Sequence, residues 1–175
     1  MNSRFTYMAM MRAALPFVFP QYKKMLSLDI DTIVDQDISE LWDIDLKDNY
    51  LAAVTEPDRC YGGKYYKNKC KLYYNAGVVM YNLEQLRDRR GMEVIKSLNE
   101  TKYPFLEQDC FSELCEGRIL SISNDYNCTN YSEYPICGRS FDPKIYHYAA
   151  IKNWQNYPEV IKYRDMRISN GEEEF

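Results

Sequence analysis

Met25-Leu26-Ser27-Leu28 runs directly into Asp29-Ile30-Asp31 and then into Thr32-Ile33-Val34. Such a run demands burial, but a carboxylate taken from water without a partner is costly. Residues 25–34 therefore read as a largely buried strand that stops at two aspartates, where ligand sites of α/β sheets form. Residues two apart on an extended strand share a side, with Cα atoms roughly 6.5 Å apart. Two carboxylates so placed can reach one hard divalent cation and leave positions open for phosphate oxygens. The chain has 13 aspartates in 175 residues, and two further pairs, Asp35/Asp37 and Asp43/Asp45, share the spacing. Only the first pair ends an apolar strand. Asp37 is placed to cap a short helix over 37–42, with Glu40 three residues on in a capping-box pattern, and Asp43 and Asp45 read as solvated loop residues.

Around this strand the pattern alternates. Residues 3–15 carry a helical stripe (Phe5, Met8, Ala9, Arg12, Leu15) closed by Pro16 and Pro20. Residues 50–54 form a small-residue strand ending at Thr55-Glu56-Pro57, and 57–71 a polar, glycine-containing loop. Residues 74–81 are a second buried strand. Asn82 caps the next helix, with Gln85 at the third position and Met92, Ile95 and Leu98 along its apolar face. Leu106, Cys110 and Leu114 mark another helix, ended by Gly117. Short strands over 119–122 and 144–148 follow, then a polar tail from Arg164 to Phe175. Strands alternating with helices imply one α/β domain over residues 1–175 with a mostly parallel central sheet.

Composition excludes several function classes. A net charge of −4 without a basic run argues against a nucleic-acid partner. An acidic protein handling a phosphorylated ligand would want a cation to offset repulsion. No stretch approaches the roughly 20 apolar residues of a membrane span, and the first 20 residues lack the layout of a signal peptide. Six cysteines without a C-x-x-C pair, beside a single histidine, make zinc improbable. Cys110 and Cys115 read as small core residues, and a cytoplasm with reduced thiols is the expected location. The sequons at Asn99, Asn127 and Asn130 read as coincidental without a leader.

Four blocks carry a resemblance. Lys24–Asp31 followed by 37–42, Tyr74-Asn75-Ala76-Gly77-Val78-Val79-Met80-Tyr81-Asn82-Leu83, Glu107-Gln108-Asp109, and His147-Tyr148-Ala149-Ala150-Ile151-Lys152-Asn153-Trp154 stand in order along the chain. Together they resemble the retaining family-8 glycosyltransferases, which include bacterial lipopolysaccharide galactosyl- and glucosyltransferases and glycogenin. The resemblance covers residues 4 to 157 and implies a GT-A-type nucleotide-sugar transferase fold. It implies metal-dependent, retaining transfer of a hexose from UDP-glucose or UDP-galactose to a glycan or lipid-linked acceptor, with at most peripheral membrane association. Asp29, Asp31 and His147 would hold Mn²⁺ or Mg²⁺, and Lys152 a phosphate oxygen as a point charge. Arg12 would sit near the donor, and Asn75, with the small pair Ala76-Gly77, would meet the donor sugar. Glu107, Gln108 and Asp109 would lie by the anomeric carbon, with Gln108 on the reacting face, and Glu56 would bind acceptor.

The chain departs from the pattern in three places. Ala150 stands where the family usually has a glycine that lets backbone approach the diphosphate, and Asn153 replaces a proline. The family also places two to three strand–helix units before the equivalent of Ser3, including the strand that holds uracil and ribose. The expectation is an N-terminally incomplete domain, with an inactive form lacking nucleotide binding as the alternative. A haloacid-dehalogenase-type phosphohydrolase also places an aspartate after an apolar strand. It wants Thr or Val where Ile33 stands, and leaves the Asn75 and His147 blocks unexplained.

Overall fold

The computed structural model describes residues 11–57, 69–131 and 137–172. A 3₁₀ turn, Arg12–Ala14, runs into helix α1 (Leu15–Val18), which takes Pro16 in its first turn, where the missing N–H costs nothing. The first helix thus extends past Pro16 instead of closing there. Its residues 3–10, most of the 57–71 loop and Cys60 lie outside the described residues.

Next come β1 (Lys24–Leu28), β2 (Thr32–Val34), α2 (Ser39–Asp43), β3 (Leu51–Glu56) and β4 (Tyr73–Asn82). After them follow α3 (Leu83–Leu86), α4 (Arg89–Glu100), α5 (Glu107–Leu114), β5 (Ile119–Ser121), β6 (Ile145–His147) and α6 (Pro158–Ser169). The expected single strand over 25–34 is two strands: β1 belongs to a four-stranded sheet of order β1-β4-β3-β5, and β2 pairs with β6 in a small second sheet. A turn at Asp29-Ile30-Asp31 joins them, and Ile30 at its tip is 92% exposed.

The central sheet corrects the expectation of mostly parallel pairing. β1, β3 and β5 run in one direction, but β4 lies between β1 and β3 and runs against both; only the β3–β5 pairing is parallel. The reason lies in what periodicity can read: alternation shows which face of a strand is buried but not its direction, and the antiparallel ladder is slightly the more stable pairing. The α/β layering itself holds, with a central sheet flanked by helices.

Period-2 alternation feeds two core layers. Leu51, Ala53, Val79 and Tyr81 pack with Leu83, Leu86, Val94, Leu98, Cys110, Phe111 and Cys115 on one face. Ala52, Val78 and Met80 pack with Leu41, Leu46, Tyr126 and Ile145 on the other. Cys110 and Cys115 are core residues as expected, whereas Met92 is 55% exposed and Gly91, Val94 and Leu98 form the buried face of α4. The cap at Asn82 is where the local signal placed it, whereas α2 begins at Ser39 with Ile38 as its N-cap, so Asp37 lies one residue before the cap. Asn82 Oδ1 accepts from the Gln85 N–H at 3.1 Å, and Asp37 Oδ1 from the Ser39 N–H at 2.8 Å. Glu40 does not reach back to complete a capping box; it binds Lys144 Nζ at 2.7 Å instead. Gly117 ends α5 with φ +77°. The segment expected as a polar tail is helical through Ser169.

β1 is an edge strand among the described residues, paired only with β4, and all five of its residues are half-buried. No helix among the described residues is long and apolar enough to cross a membrane.

Candidate metal and donor site

Two ladders bring the acidic pair and the histidine together. Leu28 pairs with Val78, and the Asp29 N–H donates to the Gly77 carbonyl at 2.8 Å, which anchors the turn against β4. Thr32 then pairs with His147 across the second sheet, and the Tyr148 N–H donates to the Asp31 carbonyl at 2.9 Å. As a result His147 Nε2 lies 3.6 Å from Asp29 Oδ2 and 3.5 Å from Asp31 Oδ1. One ligand atom from each of the three groups falls within 4.8 Å of the others. A hard divalent ion bonded at roughly 2.0–2.6 Å holds adjacent ligands about 3–3.6 Å apart at right angles, so this donor set fits one. The carboxylates converge through a turn between two sheets, not through strand alternation as the sequence suggested. Burial works against charge on Asp31, but the hydrogen bond and charge of His147 outweigh it and hold its carboxyl below the ordinary range.

The small strip on β4 has a specific purpose beside this cluster. A Cβ on Gly77 would fall inside the His147 ring at Cε1 and Nδ1, so only glycine lets the imidazole lie against β4. Asn75 Oδ1 accepts from the Gly77 N–H and from Asn127 Nδ2, each at 2.9 Å. Asn127, with no exposed surface, also meets His147 Nδ1 through its Oδ1 at 2.8 Å.

A second cluster lies on the other side of the strip. Gln108 Oε1 accepts from the Ala76 N–H at 2.8 Å, while its Nε2 donates to Tyr73 Oη at 2.9 Å and to Glu56 Oε2 at 3.3 Å. The backbone donor fixes the amide orientation. Tyr73 Oη donates in turn to Asp109 Oδ1 at 2.5 Å, and the Phe105 N–H to Asp109 Oδ2 at 2.7 Å. Asp109 is fully buried, which makes it a support for the turn into α5. Burial, with Asp109 beside it, pushes the Tyr73 phenol far up, so it acts only as a neutral donor and acceptor. Arg12 joins the two clusters: its guanidinium pairs with Asp29, lies 3.3 Å from Glu107 Oε1 and donates to the Ala76 carbonyl at 2.8 Å. Burial raises the Glu107 pKa, and Arg12 opposes this only in part.

Asp29, Asp31, His147, Arg12, Asn75, Ala76, Gly77, Glu56, Glu107, Gln108 and Asp109 thus form one continuous contact network. Lys152 and Ala150 stand apart, exposed in the turn after β6. Lys152 has no ion-pair partner among the described residues, and Ala150 adopts φ +61°. The left-handed backbone at Ala150 is a local reason for a glycine there, beyond close approach to a ligand. The sequence reading missed Asn127 and Tyr73. Asn127 was read only as a sequon, and nothing local marks it, because its partners are 20 and 52 residues away.

Residues 1–157 match the model of glycosyl transferase family 8. A putative glycosyltransferase of Haemophilus influenzae is 30% identical over 116 residues, 61% of this chain and 34% of that protein. The glycosyltransferase GlyE of Streptococcus pneumoniae is 28% identical over 148 residues, 77% of this chain and 34% of that protein. The fold matches the galactosyltransferase LgtC, solved with donor and acceptor sugar analogues, with a TM-score of 0.74 at 24% identity over 97% of this chain and 69% of that one. This chain therefore spans about a third of the length of these curated relatives. The family match covers all four sequence blocks and both clusters just described, and the chain belongs to glycosyl transferase family 8.

Proposed function

We propose that this chain carries the diphosphate- and sugar-binding residues of a retaining hexosyltransferase that uses UDP-glucose or UDP-galactose. The observation that carries the reading is the convergence of Asp29, Asp31 and His147 within one ligand-sized space, bridged by Arg12 and the Asn75–Gly77 strip to Gln108. Asp29, Asp31 and His147 would hold Mn²⁺ or Mg²⁺. Bound there, the ion would act as a Lewis acid for the diphosphate and stabilise UDP as it leaves. Lys152, on its exposed turn, would meet a phosphate oxygen, with Ala150 in the same turn beside the diphosphate.

Asn75 presents its Nδ2 to the donor sugar, because its Oδ1 already accepts two N–H bonds. Gln108 lies on the reacting face. An amide is a poor nucleophile, so the acceptor hydroxyl attacks the anomeric carbon from the side the diphosphate leaves. The carbon–oxygen bond to UDP breaks, and the departing phosphate oxygen takes the acceptor's proton. Gln108, with Glu56, Glu107 and Asp109 around it, stabilises positive charge on the sugar ring. Glu56, at the end of β3, also contacts the acceptor glycan or lipid-linked glycan. One LgtC structure is described as an active-site glutamine-to-glutamate mutant, which supports the weight given to Gln108.

A second reading, a domain that binds metal and sugar without turnover, rests on β1 pairing only with β4 among the described residues. A UDP-release assay with UDP-glucose, UDP-galactose and UDP-N-acetylglucosamine, in Mn²⁺ or in EDTA, separates the two. The transferase reading expects Mn²⁺-dependent UDP release that is abolished by Asp29→Asn or Asp31→Asn, and the second reading expects Mn²⁺ binding with no release from any of the three donors. Orientation of the reacting groups supplies roughly 7–11 kcal/mol in the best cases. Metal-independent turnover would sink the mechanism.

A further inference from the structure

Resting on the metal and donor reading above, we propose that Asn127 is a positioning residue that sets the imidazole tautomer of His147 and the amide orientation of Asn75 together. One group in this chain of bonds has a role that is not adjustable. The Gly77 N–H can only donate, so the Asn75 atom 2.9 Å from it is the carbonyl oxygen Oδ1. That oxygen also lies 2.9 Å from the Asn127 amide, which must therefore present Nδ2 to it. The other end of the Asn127 amide, Oδ1, then faces His147 Nδ1 at 2.8 Å. An amide oxygen accepts only, so Nδ1 carries the proton. In the neutral ring this leaves the lone pair on Nε2, the atom that faces Asp29 and Asp31.

The same chain of bonds turns Asn75 Nδ2 outward as a donor. One buried amide thus gives the ion a ligand lone pair and the sugar a hydrogen-bond donor, and each orientation enforces the other. Asn127 reaches neither ion nor sugar. Partners that orient ligating histidines in this way commonly change metal affinity by roughly 10–100-fold when removed.

His147 is the only histidine in the chain, so its ring nitrogens can be assigned without ambiguity. Long-range ¹H–¹⁵N correlation spectra of the metal-free protein with a neutral ring should show the Nδ1–H tautomer. An Nε2–H tautomer would overturn the proposal whatever any variant does. Titration with Mn²⁺ alone, followed by electron paramagnetic resonance, gives the second readout. Asn127→Leu should weaken binding roughly 10–100-fold, while Asn127→Asp, which keeps the acceptor for Nδ1–H but loses the donor to Asn75 Oδ1, should weaken it less than the leucine does. Equal affinity of wild type and the leucine variant would also overturn the proposal. If the leucine variant does not fold, the wild-type tautomer still decides it. Neither measurement needs a sugar nucleotide. A chain with the expected tautomer and Mn²⁺ affinity that releases no UDP counts against the transferase reading alone.

Discussion

Two small residues illustrate how much single positions control here. Gly77 carries no special backbone angle; it is glycine because the His147 ring occupies the place of a side chain. Gly77→Ala must push that ring away or bend β4, and overpacking of this kind costs about 1–3 kcal/mol. Mn²⁺ binding measured calorimetrically should be lost in this variant while far-UV circular dichroism stays native; unchanged affinity would show that the ring does not need the space. Ala150 is the converse. At φ +61° an alanine is strained where a glycine is not, so Ala150→Gly should raise stability by up to ~1 kcal/mol in urea denaturation, after allowance for the glycine's greater unfolded-state entropy. A loss of stability would contradict the left-handed backbone.

At the level of elements, the site is assembled where strands end and change sheets. The turn between β1 and β2 brings its two carboxylates to His147 because β2 pairs with β6. Reversed strand β4 contributes Asn75, Ala76 and Gly77 at its centre, and the start of α5 contributes Glu107, Gln108 and Asp109. Tyr73 ties β4 to α5 through its hydroxyl, accepting from Gln108 and donating to buried Asp109. In Tyr73→Phe the Asp109 carboxylate loses a partner in a site without water access, a loss worth about 1–3 kcal/mol. Thermal unfolding should register that destabilisation. On the transferase reading kcat should fall more than donor KM rises, since Gln108 loses one of its three partners while the Asn75 contacts persist. A change confined to KM would place Tyr73 with the donor instead.

Across the whole molecule, Asn127 and His147 reach the site from outside the central sheet, and Asp125 fastens the stretch around Asn127 to Ser140. The hydroxyls of Ser140 and then Ser123 bond its carboxylate and hold its pKa below the ordinary 3.8. A carboxylate with a depressed folded-state pKa contributes stability that is complete above its unfolded value and lost as pH falls through the folded one. Asp125 is partly exposed, so its hydrogen bonds contribute only about 1 kcal/mol after screening. Asp125→Asn should therefore be less stable at neutral pH and flatter than wild type below about pH 4, by chemical denaturation across that range. Parallel acid limbs would show that Asp125 does not titrate with folding. Much of this molecule was legible beforehand because local rules carry it. The apolar runs at 25–28, 51–54 and 74–81 and the cap at Asn82 depend on neighbours within a few residues, and each is where the pattern placed it, whereas the cap expected at Asp37 falls on Ile38. The four blocks likewise named Asp29, Asp31, His147, Asn75 and Gln108. Pairing partners were not legible in this way: the bonds of Asn127 and Tyr73 join residues 20 to 52 positions apart, and the pairings that reverse β4 against β1 and break β1 from β2 reach farther still, to Thr32 opposite His147. Periodicity states which face of an element is buried, but only the packed chain decides which buried faces and polar groups meet, because that choice is made by the joint satisfaction of contacts that no single segment contains.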